Sequence, residues 1–174
     1  MVVMHPANVR RRAASKAAPP LPAVALAGIA RRLAGSAPRW RDQVEELAAT
    51  RTGRRVFVSD VYDAWLLRWP PGTRVAPHDH GGSAGAFTVV SGELTELRWH
   101  GALRSSRTAV PGQVVTIDPD VVHDVVATGT DAAYSIHVYA PPLSTMGYYD
   151  ETGADLVDRL TVDGEGDTFV TPRT

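Results

Sequence analysis

Two histidines, His78 and His80, stand one residue apart in PHDHGGSAGAFTVVSG, residues 77–92. On an extended strand alternate side chains share a face, so the two imidazoles converge while Asp79 points away. Imidazole is the commonest metal ligand among side chains, and the pair suits a metal held on a β-scaffold. It suits equally two packed or exposed histidines with no ion. A third histidine, His123, opens a strand after the turn at Pro119–Asp120. In SIHVY, Ser135, His137 and Tyr139 recur with period two. They share one strand face, with Ile136 and Val138 on the other. If the polar face is buried, each of its groups needs a hydrogen-bond partner. The pattern alone also allows that face to look out to solvent.

The 174-residue chain has no cysteine. That excludes disulfides, thiolate-bound zinc, iron–sulfur clusters and a cysteine nucleophile, so a metal site must use nitrogen and oxygen ligands. The length fits one domain with a real core. Hydrophobic content of 44% and charged content of 21% fit a soluble globular protein. A net charge of −1 leaves no general basic field for nucleic acid. No apolar run approaches the roughly 18–20 residues of a membrane span. Ala23–Ala30 is short, follows prolines and runs directly into Arg31–Arg32, unlike a secretion signal with its small-residue cleavage site. The expected location is the cytoplasm.

Elements must position these groups. Residues 1–20 mix small residues, arginines and prolines without an apolar period, which predicts a mobile tail; its basic cluster Arg10–Arg12 reads as solvated. Val24, Leu26, Ile29 and Leu33 predict a helix ending at Gly35–Ser36, and Trp40, Val44 and Leu47 a second one stopped by Gly53. Beyond Gly53 the period becomes two. Strands are expected at 55–59, 63–69, 75–80, 86–91, 93–99, 104–110, 114–117, 121–127 and 133–139, with a last one near Leu160–Val162. Short strands with turns every 8–12 residues predict an all-β sandwich or barrel. The expectation is one domain over 21–174, with its β part from about residue 54.

These residues carry a resemblance. GTRVAPHDHGGSAGAFTVVSGEL is similar to the first cupin motif, and PDVVHDV to the second. SIHVYAPP resembles the Ser-x-His-x-Tyr-x-Pro-Pro segment of cysteine dioxygenases. The likeness runs from about Arg54 to Tyr149. It implies an all-β cupin (double-stranded β-helix, or jelly-roll) barrel with short N-terminal helices. It also implies mononuclear Fe(II), with O2 oxidising L-cysteine to cysteine sulfinate. Apart from the resemblance, a monomer that binds neither nucleic acid nor membrane is expected. His78, His80 and His123 would be the iron ligands. The glutamate that usually follows the histidine pair in cupins is absent from Gly81–Ala86, as in thiol dioxygenases with three neutral histidines. Ser135, His137 and Tyr139 match the outer relay, and Tyr139 would also face substrate. Some relatives cross-link the tyrosine to a cysteine; Gly85 stands there, so Tyr139 is unmodified. The carboxylate-binding arginine matches Arg55 best, with Arg54 as the fallback. Trp69 and Tyr62 would line the pocket or pack in the core. His5 and His100 read as surface residues. Rival readings are a dioxygenase for 3-mercaptopropionate, cysteamine or another small thiol, a non-catalytic metal-binding cupin, and a zinc hydrolase, since three histidines and water also suit zinc.

Overall fold

The computed structural model describes residues 21–36, 52–101 and 103–162. The expected tail over 1–20, His5, and the second helix carrying Trp40, Val44 and Leu47 lie outside them.

Helix α1 (Ala23–Gly35) presents one apolar stripe. Leu26 and Ala30 are fully buried, with Ile29 and Leu33 beside them, against Ala64, Leu66, Ala86, Ile136 and Val138. Among the described residues eleven strands follow: β1 (Thr52–Val58), β2 (Asp63–Trp69), β3 (Arg74–Asp79), β4 (Ala84–Ser91), β5 (Leu94–His100), β6 (Leu103–Ala109), β7 (Val114–Ile117), β8 (Val122–Ala127), β9 (Ala133–Ala140), β10 (Thr145–Tyr149) and β11 (Leu156–Thr161). They form two antiparallel sheets, ordered β1-β2-β9-β4-β7 and β11-β10-β3-β8-β5-β6. The all-β expectation holds, with one helix among the described residues.

The expected barrel takes a more open form, because among the described residues no backbone ladder joins the two sheets. Edge strand β6 shows why on its side. Six of its seven residues are exposed, and Arg104, Ser105, Ser106, Arg107 and Thr108 give it a polar surface, a composition that discourages further strand pairing. The sheets meet through side chains instead. Trp65, Leu67, Trp69, Phe87 and Val89 from the first share a core with Val75, Leu94, Val125 and Met146 from the second.

Strand β9 is central to the first sheet, between β2 and β4. Ile136 and Val138 are buried under α1, while Ser135, His137 and Tyr139 are buried on the opposite face. The polar face of SIHVY therefore looks inward. Strand β3 lies between β10 and β8, and its register puts His78 opposite both Tyr148 and His123.

Strand β10 has no counterpart in the periodicity of the sequence. Its pairing with β3 depends on two groups distant in the chain. Asp79 accepts hydrogen bonds from Gly81 N at 2.7 Å, Gly147 N at 3.3 Å and the Tyr149 hydroxyl at 2.7 Å. Asp79 thus faces away from the histidine pair, as alternation requires, and fastens β10 to β3. The chain then turns at Gly81, whose φ is +60° and where a Cβ would lie 2.0 Å from Thr145 Oγ1. Both the backbone angle and the space demand glycine. Gly81→Ala is expected to lower stability by more than about 1 kcal/mol, read as a lower urea midpoint at unchanged slope.

Candidate metal centre

His78, His80 and His123 are buried, and each offers one nitrogen such that all three atoms lie within 4.8 Å of one another. Their hydrogen bonds decide which nitrogens these are. His78 Nδ1 donates to the Ala76 carbonyl at 2.8 Å, and His123 Nδ1 donates to Glu96 Oε1 at 2.7 Å. Their Nε2 atoms are left as acceptors. His80 Nε2 stands 3.4 Å from His123 Nε2. Two nitrogens about 2.1 Å from a common ion at a tetrahedral angle stand about 3.4 Å apart, so the donor set fits a divalent cation. His80 Nδ1 is buried with no hydrogen-bond partner among the described residues. Burial pushes the His80 pKa well below the usual imidazole range, and nearby His123, His78 and His137 push it the same way. His80 is therefore neutral, the form that carries a metal-binding lone pair. The trio includes no carboxylate, so a bound ion keeps its full positive charge.

Behind His123 stands Glu96, which is fully buried. Arg107 Nε donates to Glu96 Oε2 at 2.8 Å, and Arg98 Nε forms an ion pair with the same oxygen at 3.0 Å. Arg98 also donates to the Thr116 carbonyl. Burial pushes the Glu96 pKa up, but the hydrogen bond and charge of His123 and those of Arg98 prevail and hold it at about 2. Glu96 escapes notice in the sequence. The available signal is its phase in ELTELRW, where alternation puts it on the same face as Leu94.

A second polar chain ends at the same place. Trp69 Nε1 donates to Ser135 Oγ at 2.8 Å, Ser135 Oγ lies 2.9 Å from His137 Nε2, and His137 Nδ1 lies 3.2 Å from the Tyr139 hydroxyl. Indole nitrogen is donor only. Passing each proton along assigns Ser135 O–H to His137 Nε2 and His137 Nδ1–H to the Tyr139 oxygen. In that arrangement the Tyr139 proton is not used on His137. The His137 ring stacks on Phe87 at 4.9 Å, and the Tyr139 ring lies 4.7 Å from His80. Gly85 sits across from Tyr139, where a Cβ would come within 3.3 Å of the tyrosine ring.

A cavity opens here, lined by His78, His123, His137 and Tyr139 on its polar side and by Leu67, Val75, Val125 and Met146 on its apolar side, with Trp69 between. Tyr62 does not line it and stacks on Phe57 at 4.7 Å instead. His100 is exposed, as expected. Arg54 pairs with Leu66 and so lies on the helix side of the sheet, away from the cavity. Arg55 pairs with Trp65, which pairs with His137, so Arg55 shares the cavity's face two strands over. It does not line the cavity. Its guanidinium lies 4.7 Å from the Trp65 ring centroid, with Nε 3.9 Å from Asp63 Oδ2. Asp63 is itself fully buried and accepts from Trp65 Nε1 and Leu143 N.

Facing antiparallel sheets with three converging histidines on their inner surface define the cupin class. Solved structures share this fold. A protein from Bacillus halodurans is 20% identical, with a TM-score of 0.51 over 58% of this chain and 76% of that one. A Klebsiella pneumoniae protein with a double-stranded β-helix domain is 22% identical, with a TM-score of 0.50 over 57% and 85%. An oxalate oxidase is 21% identical, with a TM-score of 0.43 over 45% of this chain and 41% of that one, so the chain spans under half of its length. The sequence profile described as cysteine dioxygenase type I matches residues 34–152. The chain belongs to that family.

The depressed His80 pKa fixes a pH dependence. Unfolded, the imidazole takes up a proton below about pH 6.5; folded, it does not. The unfolded state then binds more protons, so stability falls as pH falls. Chelator-treated protein is expected to keep its full stability above about pH 6.5 and to lose it progressively below, read as a falling Tm. His80→Gln should flatten that decline.

Proposed function

We propose that this chain is an iron-dependent thiol dioxygenase that oxidises L-cysteine with O2 to cysteine sulfinic acid. The observation that carries the reading is the meeting of two constellations in one cavity: three buried imidazoles with converging nitrogens, and a Trp69–Ser135–His137–Tyr139 chain that ends beside them. Membership of the cysteine dioxygenase type I family supports it.

In this reading His78, His80 and His123 hold Fe(II), which supplies the means to activate O2 and favours the thiolate form of a bound thiol. The sulfur gains both oxygen atoms of O2, and the thiol proton leaves with the sulfinic acid. Tyr139 donates its hydroxyl proton to a polar group of the substrate or to oxygen. His137 orients Tyr139 by occupying its oxygen, and Ser135 and Trp69 orient His137 in turn. Leu67, Val75, Val125 and Met146 keep water from the substrate methylene. Arg55 attracts the substrate carboxylate from the end of its strand row. Its contact with Asp63 moderates that pull, which favours a second reading: a small thiol without a carboxylate, such as cysteamine.

Anaerobic loading with Fe(II), followed by O2 consumption with L-cysteine, 3-mercaptopropionate and cysteamine in parallel, tests this. L-cysteine should be fastest, and His78→Ala should retain neither iron nor turnover. Tyr139→Phe should keep iron and lose roughly 10-fold or more in rate. Thiol-independent O2 uptake, or none with any thiol, refutes the dioxygenase reading; cysteamine as the fastest substrate removes Arg55 from recognition.

A further inference from the structure

We infer that Glu96 is the positioning residue of the metal centre: it fixes the tautomer and direction of His123 and stands as the counter-charge behind a ligand set that holds no carboxylate, while Arg98 and Arg107 hold its carboxylate in place. The inference rests on the reading that the three histidines hold a divalent cation, and adds what sets their grip on it.

The geometry is specific. The three strands β8, β5 and β6 run side by side, with His123 opposite Arg98, and Glu96 opposite both Val125 and Arg107. From that lattice Glu96 reaches His123 with one oxygen, Oε1 at 2.7 Å, and the two arginines with the other, Oε2. A carboxylate bonded to Nδ1 can only accept, so His123 must carry its proton there and present Nε2 to the cavity. Carboxylate–imidazole–metal chains of this kind orient the ring and raise its basicity, and loss of the outer partner typically weakens metal binding 10–100-fold. The carboxylate missing from the inner ligand set is thus supplied one ring further out. The two guanidinium groups act in the opposite sense. They anchor Glu96 against rotation, and their positive charge opposes that of the ion.

A purely structural ion-pair network tying β5 to β6 would predict something different: the variants would lose stability without changing metal affinity. The arginines provide the contrast. Arg107 is the more exposed of the pair, with 45% of its side chain accessible against 18% for Arg98, and when it is removed Arg98 is still there to hold Glu96 Oε2 while Oε1 accepts from His123.

The test is Co(II) and Fe(II) affinity by competition with a chromophoric chelator under anaerobic conditions, together with the Co(II) visible spectrum. Glu96→Gln should bind about 10–100-fold more weakly with an altered Co(II) band pattern. Arg107→Met should bind as tightly as the parent protein or severalfold more tightly. Should Glu96→Gln fail to fold, Glu96→Asp withdraws the same charge from His123 and should also weaken binding. Folded Glu96 variants with parental affinity and spectrum would overturn the inference, as would equal weakening by Arg107→Met. If the parent protein binds neither ion, the metal-centre reading itself fails. If it binds both but shows no thiol-dependent O2 uptake, the dioxygenase reading fails and the role of Glu96 stands.

Discussion

The register between β3 and β8 places His78 directly across from His123, and the centre depends on that pairing. A slip of one residue would turn the histidine-bearing face of a strand away from the core. The register is held from both flanks. On one side β10 binds to β3 through Asp79, whose carboxylate gathers two backbone amides and the Tyr149 hydroxyl. On the other side β5 grips β8, and Glu96 reaches across to the His123 ring. The two carboxylates thus do complementary work: Asp79 fixes where the strand lies, and Glu96 fixes how an imidazole on the next strand is turned.

The opposite sheet contributes through β9, buried on both faces. Its apolar face under α1 gives the strand a fixed seat, and this allows the other face to carry Ser135, His137 and Tyr139 into the interior. Three buried polar groups in a row are tolerated because each is bonded to the next, with Trp69 Nε1 as the first donor. An apolar wall across the cavity leaves few competing partners for these groups.

The sequence shows most of this plan where the signal is local. His78, His80 and His123 are visible by spacing and context, and period-two alternation places Ser135, His137 and Tyr139 on one face. Nine strands appear near their expected places. What stays hidden depends on pairing between distant segments. Strand β10 is five residues long and contains Gly147, a weak strand former that is required because a Cβ there would lie 2.7 Å from Asp79 Oδ2. Glu96 lies 27 residues from the histidine it supports. The direction of Arg55 depends on Asp63 and on the bulge between Arg55 and Phe57, neither of which alternation reveals. Closure into a barrel likewise depends on whether edge strands find partners, and the exposed polar edge of β6 bears on that only once its neighbours are known.

In the proposed reaction the cavity brings a thiol and O2 together so that both oxygen atoms end on sulfur. Turnover of L-cysteine by the Fe(II)-loaded protein under oxygen-18 gas, with the product weighed by mass spectrometry, tests it most directly. The expected product is cysteine sulfinic acid carrying label at both sulfinate oxygens. A product labelled at one oxygen or none, or cystine alone, would contradict it.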